Sequence, residues 1–87
     1  MTDLQALRAR IDAVDAQLVA LYRQRMEISA EIGAYKRDRG LPVRDPAREE
    51  ALLDRVAALA GAAHATGIRA LYREILAQSR ARQEEQP

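Results

Sequence analysis

Apolar residues recur through the first part of the chain at alternating intervals of three and four positions. This spacing is typical of one face of an α-helix, because 3.6 residues complete each turn. We call this row of positions the seam, and it consists of Leu4, Leu7, Ile11, Val14, Leu18, Leu21, Arg25, Ile28, Ile32 and Tyr35. The pattern predicts one long first helix of roughly 35 residues, ended by a glycine C-cap at Gly40.

Two shorter helices are predicted after an extended segment around Pro42. Asp45 and Pro46 provide an N-cap followed by a proline at the first helical position, where its missing N–H costs nothing. The second helix, of about 16 residues by its apolar spacing, presents Leu52, Leu53, Val56 and Leu59. Thr66 is expected to cap a third helix of about 19 residues, whose apolar face contains Ile68, Leu71, Tyr72, Ile75 and Leu76. No strand pattern is present, so we expect an all-α chain forming a single domain over residues 1–87.

The predicted helix lengths indicate that one copy of the chain cannot cover its own seam. A helix of 35 residues is about 52 Å long, whereas the other two helices are roughly 24 and 28 Å long. A compact globule of this size would measure only about 30 Å across. A second copy is the simplest cover, and two-fold pairing is the commonest arrangement, so we expect an obligate homodimer.

The composition excludes several classes of function. The sequence has no cysteine, which excludes disulfides, thiolate metal sites and cysteine nucleophiles. A net charge of +1, without a basic patch interleaved with aromatic residues, indicates no nucleic-acid partner. No apolar stretch approaches the roughly 20 residues of a membrane span, and the N-terminus does not resemble a secretion signal. We therefore expect a cytoplasmic protein without a membrane partner.

Sequence motifs for common catalytic and cofactor sites are missing as well. No glycine-rich phosphate loop, metal-ligand spacing or Ser-His-Asp set is present. The one histidine, His64, lies in a stretch of small residues and is interpreted as a surface residue. We expect neither a metal nor a cofactor.

One seam position carries a permanent charge. Arg25 interrupts the apolar row, and Lys36 follows eleven residues later, about three turns on and on nearly the same face. Lys36 is also the only lysine among 14 basic residues. A guanidinium inside a helix interface needs an anion, so one interpretation is that both cations hold an anionic ligand. The alternative is that Arg25 pairs with a carboxylate or extends to solvent and that the position of Lys36 is accidental.

Further polar candidates lie at the ends of the predicted helices. Asp45, Arg48 and Glu49 cluster at the start of the second helix, whose N-terminus favours anions. Ser79 and Gln83 continue the apolar face of the third helix. Each has an ordinary explanation, as a cap, a solvated first turn or a fraying end. Together they place polar groups on the core-facing side of every helix.

At these positions the sequence resembles the all-α chorismate mutase family. The resemblance rests on L-R-x-x-I-D-x-x-D from Leu7, the arginine and lysine separated by ten residues, P-V-R-D-x-x-R-E from Pro42, and S-x-x-x-Q from Ser79. The motifs together extend over nearly the whole chain in a consistent order. The family implies an intertwined dimer of three-helix chains, in which an arginine of the partner completes each active site. Arg8 suits that role because about 25 Å of helix separates it from Arg25 of its own chain.

The resemblance implies that the chain isomerises chorismate to prephenate in aromatic amino-acid (Phe and Tyr) biosynthesis. The implied substrate-binding residues are Arg8, Arg25, Lys36, Asp45, Arg48, Glu49, Ser79 and Gln83. Arginines would hold the two carboxylates, and Ser79 would support one of them. Lys36 and Gln83 would donate to the ether oxygen, while Glu49 and the region of Asp45 would receive the ring hydroxyl. Arg25, Lys36, Glu49 and Gln83 are accordingly the expected catalytic residues.

Two other functions fit the same scaffold. One is isochorismate pyruvate lyase activity, which would use the same cationic pocket; the acidic pair Asp45 and Glu49 resembles the mutases more than the lyases. The other is a helical dimer without catalytic activity, or a regulatory module that docks on another enzyme.

Overall fold

The computed structural model describes residues 3–85, which form three α-helices without a strand. Helix α1 spans Leu4–Arg39, α2 spans Pro46–Ala60 and α3 spans Ala65–Glu84. The prediction of an all-α chain with one long and two shorter helices is confirmed.

Gly40 ends α1 and Asp45 caps the start of α2, as the sequence predicts. The Asp3 carboxylate accepts a hydrogen bond from the Ala6 N–H at 2.8 Å and caps α1. Gly40 ends α1 in the left-handed conformation, with φ of 65°, which a glycine adopts without steric cost. Asp45 caps α2 by accepting the Arg48 N–H at 3.1 Å, and Pro46 is the first helical residue.

The start of α3 differs from the prediction. Thr66 was expected as its N-cap, but α3 begins at Ala65, and His64 occupies the cap position without a side-chain hydrogen bond. A backbone turn leads directly into the helix, since the His64 N–H donates to the Gly61 carbonyl at 3.0 Å. The turn thus starts the helix before the threonine is reached, and the Thr66 prediction is wrong.

Helix α3 packs against α1 on one side and against α2 on the other. The apolar core lies between α2 and α3 and consists of Leu52, Leu53, Val56 and Leu76, with Ile68 and Tyr72 packed against it. The buried residues of α1 are the small Ser29 and Gly33. The fully buried part of the contact between α1 and α3 is therefore formed on α1 by small residues and not by its apolar side chains.

The seam is left exposed by the single chain. Its side chains from Leu4 to Leu21 are 42% to 62% exposed, far above the usual exposure of leucine and isoleucine. The molecule measures 58 × 30 × 14 Å, with a radius of gyration of 16.3 Å. These dimensions agree with the prediction that α2 and α3 are too short to cover α1. None of the helices within residues 3–85 has the length and apolar character needed to cross a bilayer.

Candidate active site

A cavity of about 500 Å³ lies between α1, the segment before α2, α2 itself and α3. Seven of the eight predicted site residues line it: Arg25, Lys36, Asp45, Arg48, Glu49, Ser79 and Gln83. The exception is Arg8, which is exposed on the N-terminal part of α1 and lies outside the cavity. The helical arrangement thus gathers residues that are up to 58 positions apart in sequence, from Arg25 to Gln83.

Arg25 and Lys36 supply two cations from the same face of α1. Both side chains are partly buried, and the guanidinium carbon of Arg25 lies 5.9 Å from the centre of the Tyr72 ring. Within residues 3–85, neither cation forms an ion pair with a carboxylate. Arg25 therefore does not pair with any carboxylate of residues 3–85, which argues against the alternative that it does so.

Lys36 joins three segments at one end of the cavity. Its ammonium nitrogen Nζ donates to the Val43 carbonyl at 2.8 Å and to Gln83 Oε1 at 3.0 Å. An ammonium group has three N–H donors, so these bonds leave one donor for a ligand. The two bonds also restrain a long side chain that would otherwise be flexible.

A chain of polar side chains runs from α1 to α3 beside Lys36. The hydroxyls of Ser29 and Ser79 lie 2.6 Å apart, and the Gln83 Nε2 group lies 3.5 Å from Ser79 Oγ. All three residues are buried, and the amide of Gln83 keeps a second N–H for a ligand. Ser29 is absent from the predicted site, although its position four residues after Arg25 places it on the same helix face.

Gly33 allows α1 and α3 to meet backbone to backbone. A Cβ atom at Gly33 would lie 2.7 Å from the Cα of Gln83 and closer still to its carbonyl oxygen. Arg37 holds the same carbonyl, because its Nη1 donates to Gln83 O at 2.9 Å. Neither residue is among the predicted site residues. A glycine inside a long helical pattern was the available signal, since glycine there usually has a packing reason.

The start of α2 forms the opposite wall of the cavity. Asp45 and Arg48 are exposed, whereas Glu49 is partly buried and pairs with Nη1 of Arg80 at 2.6 Å. Arg80 was also overlooked, although it follows Leu76 by four positions on the inner face of α3. Of the residues that the structure describes, four cations and two carboxylates therefore line the cavity: Arg25, Lys36, Arg48, Arg80, Asp45 and Glu49.

The arrangement is suited to binding an anion and donating hydrogen bonds to it. Cations and neutral donors face a partly enclosed cavity, where electrostatic interactions are stronger than in bulk water. Across residues 3–85, no three histidine, aspartate or glutamate side chains converge as metal ligands would.

The close approach at Gly33 predicts opposite effects of the same substitution at two helical glycines. Gly33→Ala should lower the free energy of unfolding by about 1–3 kcal/mol, because the new methyl group would force α1 and α3 apart. Gly67→Ala is the matched control, since a Cβ there would meet nothing within 4 Å. It should be neutral or stabilising by up to about 1 kcal/mol, the usual helix preference for alanine. Urea unfolding measures both, and equal stabilisation by the two substitutions would contradict the tight contact.

Comparison with solved structures supports this fold. A conserved hypothetical protein from Pyrococcus furiosus superposes with a TM-score of 0.81 and 34% sequence identity, covering 97% of this chain and 99% of that one.

Three curated proteins illustrate the sequence similarity. The bifunctional chorismate mutase/prephenate dehydratase of Escherichia coli (strain K12) is 44% identical over 61 residues, or 70% of this chain and 16% of that protein. The T-protein of Haemophilus influenzae is 40% identical over 53 residues, or 61% of this chain and 14% of that protein. The 4-amino-4-deoxychorismate mutase of Streptomyces venezuelae is 38% identical over 55 residues, or 63% of this chain and 53% of that protein.

The match therefore spans only 14% to 16% of the length of the first two of these relatives. The model of one family, described as chorismate mutase type II, matches residues 7–84. Because this match extends from the first turns of α1 to the end of α3, the chain belongs to the chorismate mutase type II family.

Proposed function

We propose that this protein is a chorismate mutase, which isomerises chorismate to prephenate in the biosynthesis of phenylalanine and tyrosine. The observation that carries the proposal is the presence of Arg25 and Lys36 on one cavity wall without a carboxylate partner in residues 3–85. Partly buried cations without a carboxylate partner favour an anionic ligand. Membership of the family makes the dicarboxylate chorismate the natural choice.

The reaction requires little beyond the groups in the cavity. Chorismate carries two carboxylates, an enol ether and a ring hydroxyl, and its Claisen rearrangement is unimolecular. A protein accelerates such a reaction by holding the reactive conformer and by stabilising the charge that develops as the ether bond breaks. Neither task requires a nucleophile or an obligatory proton transfer.

Each polar group of the substrate has a chemically suitable partner on the cavity wall. Arg25 and Arg48 offer forked guanidinium donors for the carboxylates, and Ser79 adds a hydroxyl. The remaining donors of Lys36 and Gln83 serve the ether oxygen. Because Lys36 Nζ donates to Gln83 Oε1 at 3.0 Å, the ammonium group and the Gln83 amide are neighbours on the cavity wall.

The donors at the ether oxygen are the ones that raise the rate. That oxygen becomes more negative in the transition state than in the ground state. Only interactions that are stronger in the transition state than in the ground state accelerate the reaction. Glu49 and the region of Asp45 would receive the ring hydroxyl, which orients the substrate.

We further propose that the active protein is an intertwined two-fold homodimer in which the partner's Arg8 completes the site. The exposed seam of α1 needs a cover, and a second copy of α1 supplies a matching apolar face. Arg8 is separated from Arg25 by about 25 Å along α1, beyond the reach of any side chain. Antiparallel pairing of the two α1 helices brings the Arg8 of one chain to the cavity of the other.

The activity itself is tested by incubating the protein with chorismate and identifying the product. We expect loss of the absorbance of chorismate and formation of prephenate. A parallel incubation with isochorismate serves as the comparison, because release of pyruvate from it would identify the lyase instead. A dimer that changes neither compound would support the helical dimer without catalytic activity.

Mixing two inactive variants tests the exchange of Arg8. Arg8→Ala and Lys36→Ala should each lose activity by roughly 10²–10³-fold, the usual effect of removing a transition-state donor or an essential clamp. In a random mixture of the two, half of the dimers would contain one intact site. Activity should therefore return to about a quarter of that of the wild type after co-refolding, as two-fold symmetry requires.

The matched control mixes Lys36→Ala with Arg25→Ala. These residues belong to the same cavity of the same chain, so every mixed dimer would carry two damaged sites and activity should stay low. If the first mixture also fails to recover, Arg8 does not act in the partner's site.

Gln83→Glu should make the activity depend on pH, with higher activity at low pH. A neutral amide donates a hydrogen bond at any pH, whereas a carboxyl group donates only when it is protonated. Lys36 should lower the pKa of the new carboxyl, while burial and the substrate's negative charge raise it. In either case kcat/KM should rise as the pH falls through that pKa, and at pH values well above that pKa it should be about 10²–10³-fold below the wild-type value.

The comparison variant for this experiment is Gln24→Glu, which makes the same change at an exposed position of α1. Its pH profile should follow that of the wild type. A Gln83→Glu profile that also follows the wild type, at equal rates, would remove Gln83 from the site.

A further inference from the structure

Glu49 and Arg80 form an ion pair on the cavity wall. Arg80 Nη1 lies 2.6 Å from Glu49 Oε1, and the two side chains are 28% and 21% exposed, respectively. Of the cations that line the cavity, Arg80 alone is paired with a carboxylate within residues 3–85. The pair joins α3 to α2 and compensates the charge of Glu49, which among residues 3–85 is the one carboxylate of the cavity wall that is partly buried.

Glu49 is the natural partner of the group at ring carbon 4 of the substrate. The hydroxyl there is the only hydrogen-bond donor of chorismate, since its two carboxylates and its ether oxygen accept. An ionised carboxylate only accepts, and its two oxygens have room for more than one bond. The other carboxylate of the wall, on Asp45, already accepts the Arg48 N–H as the cap of α2.

We propose that Arg80 makes the site select a hydroxyl over an amine at ring carbon 4, an inference that rests on the proposed mutase function. An aliphatic amine is protonated near neutral pH. Arg80 compensates the negative charge of Glu49. An ammonium group at ring carbon 4 would therefore be repelled by the guanidinium of Arg80 without being attracted by an uncompensated carboxylate. A neutral hydroxyl meets no such repulsion and still donates to Glu49. Arg80 is thus a specificity-determining residue that acts through Glu49.

Two substrates and two variants test this selection. The value of kcat/KM is measured for chorismate and for 4-amino-4-deoxychorismate, which carries an amine in place of the hydroxyl. The wild type should prefer chorismate. Arg80→Met removes the charge from a flexible side chain and should lower the preference at least about tenfold, since like charges placed together are strongly unfavourable. Arg80→Lys keeps the charge and should keep most of the preference.

The ratio between the two substrates separates selection from structural damage. Loss of a strut between α2 and α3 would lower both values together and leave the ratio unchanged. Arg73→Met is the matched control, because Arg73 is exposed on α3 and does not line the cavity; its ratio should equal that of the wild type.

Three results would overturn the inference. They are an unchanged ratio in Arg80→Met, an equal loss of preference in Arg80→Met and Arg80→Lys, and a wild type that prefers the amine. In the first two cases the mutase proposal still holds if the wild type converts chorismate. A wild type that converts neither compound overturns the mutase proposal and this inference together.

Discussion

The contact between the backbones of α1 and α3 at Gly33 determines most of the geometry of the cavity. Because Gly33 lacks a Cβ atom, the end of α3 lies directly against α1, and Arg37 binds the Gln83 carbonyl at 2.9 Å. The same approach brings the Gln83 amide to 3.0 Å from Lys36. Hydrogen bonds weaken steeply beyond about 3.5 Å, so an outward shift of even an ångström would break this contact. The hydrogen bonds of Lys36 and Arg37 to Gln83 thus depend on the absence of a side chain at Gly33.

The fold itself orients the charges of the cavity. Lys36 is held by two hydrogen bonds to neutral acceptors, which orient the ammonium without cancelling its charge. Arg25 lies near the ring of Tyr72 and has no ion pair within residues 3–85. Groups that are oriented in advance need little reorganisation during a reaction, which is the main electrostatic advantage of a folded site over water. The Glu49–Arg80 pair is the local exception, because there the fold supplies the counter-charge itself.

The three helices and most of the cavity wall could be predicted from the sequence, because these features depend on local rules. Spacing of apolar residues defines a helix face, and caps such as Asp45 and Gly40 act within a few residues of the helix end. The positions of Arg25 and Lys36 on one face follow from the helix repeat alone. The length of α1 likewise indicated that its seam would be left uncovered by one chain. The error at Thr66 arose where a backbone turn, and not a side chain, starts the helix.

Which side chains meet across the helices depends on tertiary packing and could not be predicted from the sequence. Contacts such as Ser29 with Ser79, and Glu49 with Arg80, join positions 50 and 31 residues apart. They depend on how far α3 slides along α1 and α2. Periodicity identifies the face of a helix but not its axial register against a neighbour, because every turn repeats the same pattern. That register is set by packing, above all by the close approach of the two backbones at Gly33.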